Sequence, residues 1–151
     1  MTRIMFICHG NICRSPMAEF IMKELVRREG AEEKFGIASC AVSTEEIGNG
    51  IYPPAKSELK RRGIPFTEHY AVQLTRSDCE KYDMFIVMDK SNLRRAREIL
   101  GSGSDSKLHK LMEFAGSGRD VSDPWYSRRF DIAFDDIMQG CEGLLRDLLQ
   151  A

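Results

Sequence analysis

No run in this chain approaches the roughly 18 apolar residues that a membrane-spanning helix requires, so no membrane partner is expected. An excess of either charge is equally missing: 22 basic against 23 acidic residues leave a net charge of −1. That balance provides no electrostatic footprint for nucleic acid. The five cysteines, Cys8, Cys13, Cys40, Cys79 and Cys141, are odd in number and scattered, which argues against a disulfide framework and for reduced thiols. His9, His69 and His109 stand far apart and no Cys/His spacing matches a zinc site, so neither a metal nor another cofactor is expected. No apolar secretion segment follows Met1, and the expected location is cytoplasmic. Repeats and low-complexity tracts are absent too, and Gly101 to Ser106, the nearest thing to a linker, is too short to separate domains. What is present is 151 residues, 42% hydrophobic and 30% charged, enough for a single domain over 1–151 with a real core.

Apolar runs and helical spacings alternate along the chain. Arg3 to Ile7 predicts a buried strand, Pro16 to Arg28 a helix, and Phe35 to Val42 a second strand. Pro54 to Arg62 predicts a short helix stopped by Gly63, and Tyr70 to Leu74 a strand. Thr75 to Asp78 is a capping cluster that opens a brief helix. Asp83 to Met88 is a continuous apolar run of the kind found in central parallel strands. Ser91 to Leu100 predicts a helix, Lys107 to Leu111 a last strand, and Phe130 to Leu149 a closing helix with apolar residues at three- and four-residue steps. Such alternation predicts a doubly wound α/β domain, a sheet of about four parallel strands flanked by helices, with ligands bound at the carboxyl ends of the strands.

The loop after the first strand carries the chemistry. Cys8-His9-Gly10-Asn11-Ile12-Cys13-Arg14-Ser15-Pro16 lies between a buried strand and a helix N-terminus, where unpaired N–H groups and the helix dipole favour an anion. Gly10 and Asn11 are suited to the backbone angles of a concave nest. The fields that hold a phosphate also favour a thiolate, which makes Cys8 a nucleophile by position. Arg14 offers a planar fork to two phosphate oxygens. Ser15 can donate a hydrogen bond to the Cys8 sulfur, and His9, Gly10, Asn11, Ile12, Cys13, Arg14 and Ser15 together form the expected phosphate cradle. A thiol that takes up a phosphoryl group forms a covalent intermediate that water must then hydrolyse. The leaving oxygen needs a proton, and Asp123, before Pro124 and after the glycine-rich segment 116–122, stands on a suitable loop, although Asp-Pro is also a common turn opener. Asp120 is the alternative acid.

This chain resembles the low-molecular-weight protein tyrosine phosphatases, whose N-terminal signature is Cys-x-Gly-Asn-x-Cys-Arg-Ser-Pro. The resemblance continues through Ala18-Glu19, Glu46-Ile47-Gly48-Asn49, Gly63-Ile64-Pro65, the segment 82–93 and Asp123-Pro124-Trp125-Tyr126, and so spans nearly the whole chain. It implies a protein tyrosine phosphatase acting on phosphotyrosine-containing proteins or peptides, as a monomer or weak homodimer, with Asp123 as general acid. Trp125 and Tyr126 then flank the mouth of the pocket. An aliphatic Ile12 marks tyrosine-directed members, whereas a related protein-arginine phosphatase branch carries threonine there. Cys13 has two readings: a redox partner that forms a reversible disulfide with Cys8, or a small residue fitted behind the loop. His69 aligns, with one residue inserted, with a histidine that supports the loop asparagine.

Departures from the family pattern concern the pocket walls. Glu45 stands where many members have an aromatic, and Tyr52-Pro53-Pro54 replaces the usual Asp-x-Arg, with Tyr52 a candidate aromatic wall from a shifted position. Cys40 and Ser43 are the nearest candidates for the serine that supports the loop asparagine. Two other functions stay open on the residues alone. One is an arsenate reductase, which would draw Cys79 into a thiol relay. The other is a phosphate-dependent binding or redox-sensing module that uses Cys8 and Cys13 as a switch.

Overall fold

The computed structural model describes residues 1–151. Strands β1 (Thr2–Cys8), β2 (Phe35–Ala41), β3 (Met84–Val87) and β4 (Leu108–Lys110) form one parallel sheet in the order β2-β1-β3-β4. The chain leaves β1 to build β2 on one side and returns to build β3 on the other. The connections therefore diverge beside β1, which makes the carboxyl end of β1 the topological switch point where such sheets bind ligands.

Period-2 alternation divides the apolar residues of β1 between two cores. Ile4, Phe6 and Cys8 face a large cluster, and Met5 and Ile7 face a smaller one on the opposite side of the sheet. Helices α1 (Arg14–Arg28) and α6 (Phe130–Gln150) cover the larger face, with α2 (Pro53–Arg61) beside them. On the other face, Ala96 and Leu100 of α4 (Lys90–Leu100) pack against Met5, Ile7, Phe85 and Val87. Two single-turn helices complete the set, α3 (Asp78–Lys81) and α5 (Pro124–Ser127). No helix is long and apolar enough to cross a membrane.

Sequence expectations fail at two places. Tyr70 to Leu74 is not a strand of the sheet: it makes only isolated bridges, Gln73 to Ala41 and Tyr70 to Gly50. Ala71 and Leu74 are buried while Tyr70 and Val72 are exposed, so the segment packs on the core without the period-2 pattern of a sheet strand. The first helix begins at Arg14, two residues earlier than Pro16 suggests, because Pro has no N–H to lose and fits a first turn that is already under way.

Candidate active site

Parallel register brings the end of β1 beside the ends of its neighbours: Cys8 pairs with Ala41, and Ile7 with both Cys40 and Val87. The chain then turns through 9–13 into α1, whose N-cap is Cys13. Within this turn Asn11 has φ +60°, while Gly10 does not adopt a positive φ. The nest therefore depends on the left-handed tolerance of asparagine. Gly10 serves a different purpose, since a Cβ built there would stand 3.3 Å from Glu46 Cγ.

Donors converge on the Cys8 sulfur. Ser15 Oγ lies 3.0 Å from it, and the backbone N–H groups of Asn11 and Ser15 point to it at 3.3 and 3.4 Å. The N–H groups of His9, Gly10, Ile12 and Cys13 have no partner within the protein. The result is a thiol surrounded by hydrogen-bond donors at a helix start, the arrangement that suits an anionic sulfur or a bound oxyanion.

Hydrogen-bond polarity around the loop follows from one unambiguous donor. The Val72 N–H donates to Asn11 Oδ1 at 3.1 Å, which makes that oxygen the acceptor and Nδ2 the donor. His69 Nε2, 2.9 Å from the same oxygen, must then carry a proton. Asn11 Nδ2 donates to Ser15 Oγ at 2.8 Å and to Ser39 Oγ at 3.0 Å. Ser39 donates to Glu19 Oε1 at 2.6 Å, and Ser15 Oγ, already an acceptor, has the Cys8 sulfur at 3.0 Å and the Cys40 carbonyl at 3.5 Å within reach of its own proton. The expectation for His69 is met. The supporting serine is Ser39, not Cys40 or Ser43, because the β1–β2 register sets Ser39 beside Phe6 and under the loop. Burial holds His69 below its ordinary value; Glu19 opposes that shift and Lys23 adds to it.

Arg14 is 2% exposed and is braced from three sides. Its Nη1 donates to Asp89 Oδ2 at 2.9 Å and to the Val121 carbonyl at 2.9 Å, and Nη2 lies 3.4 Å from Asp123 Oδ2. Burial alone would lower its pKa, but the charges of Cys8, Asp123 and Asp89 outweigh that effect and keep the guanidinium protonated. Sequence reasoning assigned Asp89 no role. Its position directly after the apolar strand, at the carboxyl end of the sheet, was the available signal. Asp89 also caps α4, accepting from the Asn92 N–H at 2.7 Å.

Asp123 caps α5 in the same manner, with Oδ1 accepting from the Trp125 N–H at 3.0 Å while Oδ2 turns toward Arg14. Asp120 is bound instead to Lys110 Nζ at 2.6 Å and does not reach the site. Together Cys8, His9, Gly10, Ile12, Cys13, Arg14, Glu45, Glu46, Asp123, Trp125 and Tyr126 line a cleft of about 320 Å³. Trp125 and Tyr126, both exposed, are among these lining residues. Tyr52 does not line it; the ring packs against Trp125 at a tilt of 51°, with centroids 4.9 Å apart, and its hydroxyl accepts from Arg128 at 2.9 Å. The acidic wall expected from Glu45 is present, although its carboxylate is paired with His9 at 3.0 Å. All five cysteines are free. Burial, followed by the charge of Cys8, pushes the Cys13 thiol up to about 12. Cys79 is on the far side of the sheet with the smaller core, away from the cleft, so it is not placed for a thiol relay with Cys8.

Comparison with known proteins agrees with this geometry. A family model described as low molecular weight phosphotyrosine protein phosphatase matches residues 3–151. The low molecular weight protein-tyrosine-phosphatase YfkJ of Bacillus subtilis is 34% identical over 98% of this chain and 96% of its own. Its crystal structure superposes with a TM-score of 0.95 over 99% of this chain and 96% of that one. A low molecular weight phosphotyrosine protein phosphatase of Schizosaccharomyces pombe is 39% identical over 82% of this chain and 81% of its own. The crystal structure of the drosophila arginine phosphatase, 26% identical, matches with a TM-score of 0.89 over 98% of both chains. A thiol cradle at the switch point, a braced arginine and a match that runs the length of the sequence lead to one conclusion: this chain belongs to the low molecular weight phosphotyrosine protein phosphatases, a family of hydrolases.

Proposed function

We propose that this phosphatase hydrolyses aryl phosphates of the phosphotyrosine type through a cysteinyl-phosphate intermediate, with Cys8 as nucleophile, Arg14 as phosphate clamp and Asp123 as general acid. The observation that carries this reading is the convergence of Ser15 Oγ, Asn11 N and Ser15 N on the Cys8 sulfur at 3.0–3.4 Å, in a cleft that also holds Arg14 and Asp123. In the first step the sulfur attacks phosphorus and the bond to the phenolic oxygen breaks, with a proton passing from Asp123 to the departing oxygen. Arg14 and the free N–H groups of the loop hold the equatorial oxygens as charge redistributes. In the second step Asp123, now a carboxylate, takes a proton from the attacking water. The sulfur–phosphorus bond breaks, and the Ser15 hydroxyl receives the departing thiolate.

Ile12 favours an aryl group in the pocket, since an apolar side chain on the lining offers nothing to a guanidinium. The likeness to the arginine phosphatase supports a second reading, phosphoarginine, with the same machinery. Cys13 is proposed as the redox partner of Cys8: its high pKa keeps it a thiol during turnover, and it is the neighbouring thiol on the same loop. The test is the rate on a phosphotyrosine peptide beside a phosphoarginine peptide, under reductant, with Cys8→Ser as the blank. Phosphotyrosine turnover absent from the blank is expected. Preference for phosphoarginine would overturn the substrate, and activity retained in Cys8→Ser would overturn the mechanism.

A further inference from the structure

Between the 3₁₀ turn at Leu111–Ala115 and α5, residues 116–123 form no regular structure, and the run Gly116-Ser117-Gly118 gives them little stiffness of their own. Yet this loop ends on Asp123 and supplies the Val121 carbonyl that braces Arg14. Its order comes from a few ties. The Val121 N–H donates to the Met88 carbonyl at 2.9 Å, and Arg119 reaches Asp136 on α6 at 2.8 Å through a half-exposed side chain.

The inner tie is Lys110. It is the last residue of β4, at the same end of the sheet as Cys8, and its side chain is only 10% exposed. Its ammonium lies 2.6 Å from Asp120 Oδ1 and donates to the Gly118 carbonyl at 2.8 Å. A buried ammonium is costly unless its donors are satisfied, and here both partners belong to the loop. Lys110 thus joins the rigid sheet to a point three residues before Asp123.

We propose that Lys110 is a positioning residue for the general acid: its ammonium, through Asp120 and Gly118, fixes where the Asp123 carboxyl stands in the cleft. This inference rests on the reading of Asp123 as the acid. An acid must stand within hydrogen-bond reach of the leaving oxygen, and a misplacement of about 1 Å can cost up to ~10²-fold in rate. Loss of the tie therefore acts on proton donation, which matters in proportion to the basicity of the leaving group.

The experiment measures kcat/KM for a series of aryl phosphates, from dinitrophenyl to phenyl, in wild type, Lys110→Met, Asp120→Asn and Asp123→Asn. Methionine keeps the length and burial of the lysine stem. Asp120→Asn supplies the same information should Lys110→Met fail to fold, as monitored by a thermal melt. Lys110→Met and Asp120→Asn should each lose about tenfold more on phenyl than on dinitrophenyl phosphate, a part of the up to ~10²-fold that misplacement can cost. Asp123→Asn should lose more, with the same trend. Losses equal across the series, or none, in Lys110→Met and Asp120→Asn would overturn the inference while the selectivity of Asp123→Asn left the proposed mechanism standing. An Asp123→Asn enzyme without leaving-group selectivity would overturn both.

Discussion

Asn11 shows how much of the site depends on one side chain. Its amide makes four hydrogen bonds, to Ser15, Ser39, His69 and Val72, and its backbone holds φ +60°. Asn11→Ala removes the network and strains the backbone, which together should cost on the order of 2–4 kcal/mol. Urea unfolding measures that loss, and turnover should fall with it because Ser15 is no longer oriented toward Cys8. Asn11→Gly should restore the backbone part of the stability and leave turnover low; full recovery of activity in the glycine variant would show that the amide network is idle. The need for a left-handed residue here was legible in the loop sequence, but the partners were not. Ser39 becomes visible only when the register of β2 against β1 is known, and a single serine in a strand carries no local signal of that register.

His69 gives the residue scale a pH dependence. Its folded pKa lies below the ordinary 6.5, chiefly through burial, so near and below that pH the unfolded chain binds more protons than the folded one. Stability should therefore rise with pH through the window just below 6.5 and flatten above it. Thermal melts across this window should show the slope in wild type and a shallower one in His69→Gln. Identical slopes would remove His69 from the account.

At the scale of elements, α6 was expected from its apolar spacing, but the reason for two of its residues was not. A Cβ at Gly143 would stand 1.9 Å from the Phe114 carbonyl oxygen, and one at Gly140 would stand 2.5 Å from Leu111 Cγ. These glycines let the 3₁₀ turn at Leu111–Ala115 lie directly on the helix, immediately before the loop that carries Asp123. Backbone cannot yield as a flexible side chain can, so Gly143→Ala should destabilise by about 2–3 kcal/mol, in the upper part of the overpacking range. Differential scanning calorimetry should then show a fall of about 4–10 °C, and an unchanged melting temperature would mean that the close approach is absent. No periodicity signals such a contact, because it depends on where a distant turn lands. Tyr70 to Leu74 failed in the opposite sense: the segment is partly buried and locally extended like a strand, yet single bridges to Ala41 and Gly50 tether it in place of a ladder.

At the scale of the whole molecule, a net charge of −1 conceals a local imbalance. Besides Asp123, which the proposed mechanism holds protonated until the leaving group departs, the cleft is lined by the carboxylates Glu45 and Glu46, and its one arginine, Arg14, is buried. A phosphorylated peptide brings its dianion to Arg14 past acidic walls, so basic residues beside the phosphotyrosine should be favoured over acidic ones by about fivefold in kcat/KM at low salt. The preference should shrink as ionic strength rises, because Glu45 is exposed and Glu46 only partly buried, within reach of screening salt. Glu45→Gln/Glu46→Gln should reduce the ratio of the two peptides toward unity; a ratio that stays put would locate the selectivity elsewhere. Composition could not reveal this, whereas the parallel α/β class and the position of the site could be read from alternating apolar runs and one loop; the strand order could not.

The central claim is that Cys8 carries the phosphoryl group. Acid quenching of the wild-type enzyme during turnover of a dinitrophenyl phosphate, followed by mass spectrometry of its peptides, tests it most directly. A phosphoryl adduct on the Cys8 peptide, absent from Cys8→Ser, is predicted. Sustained turnover with no adduct on that peptide, and activity surviving in Cys8→Ser, would contradict it.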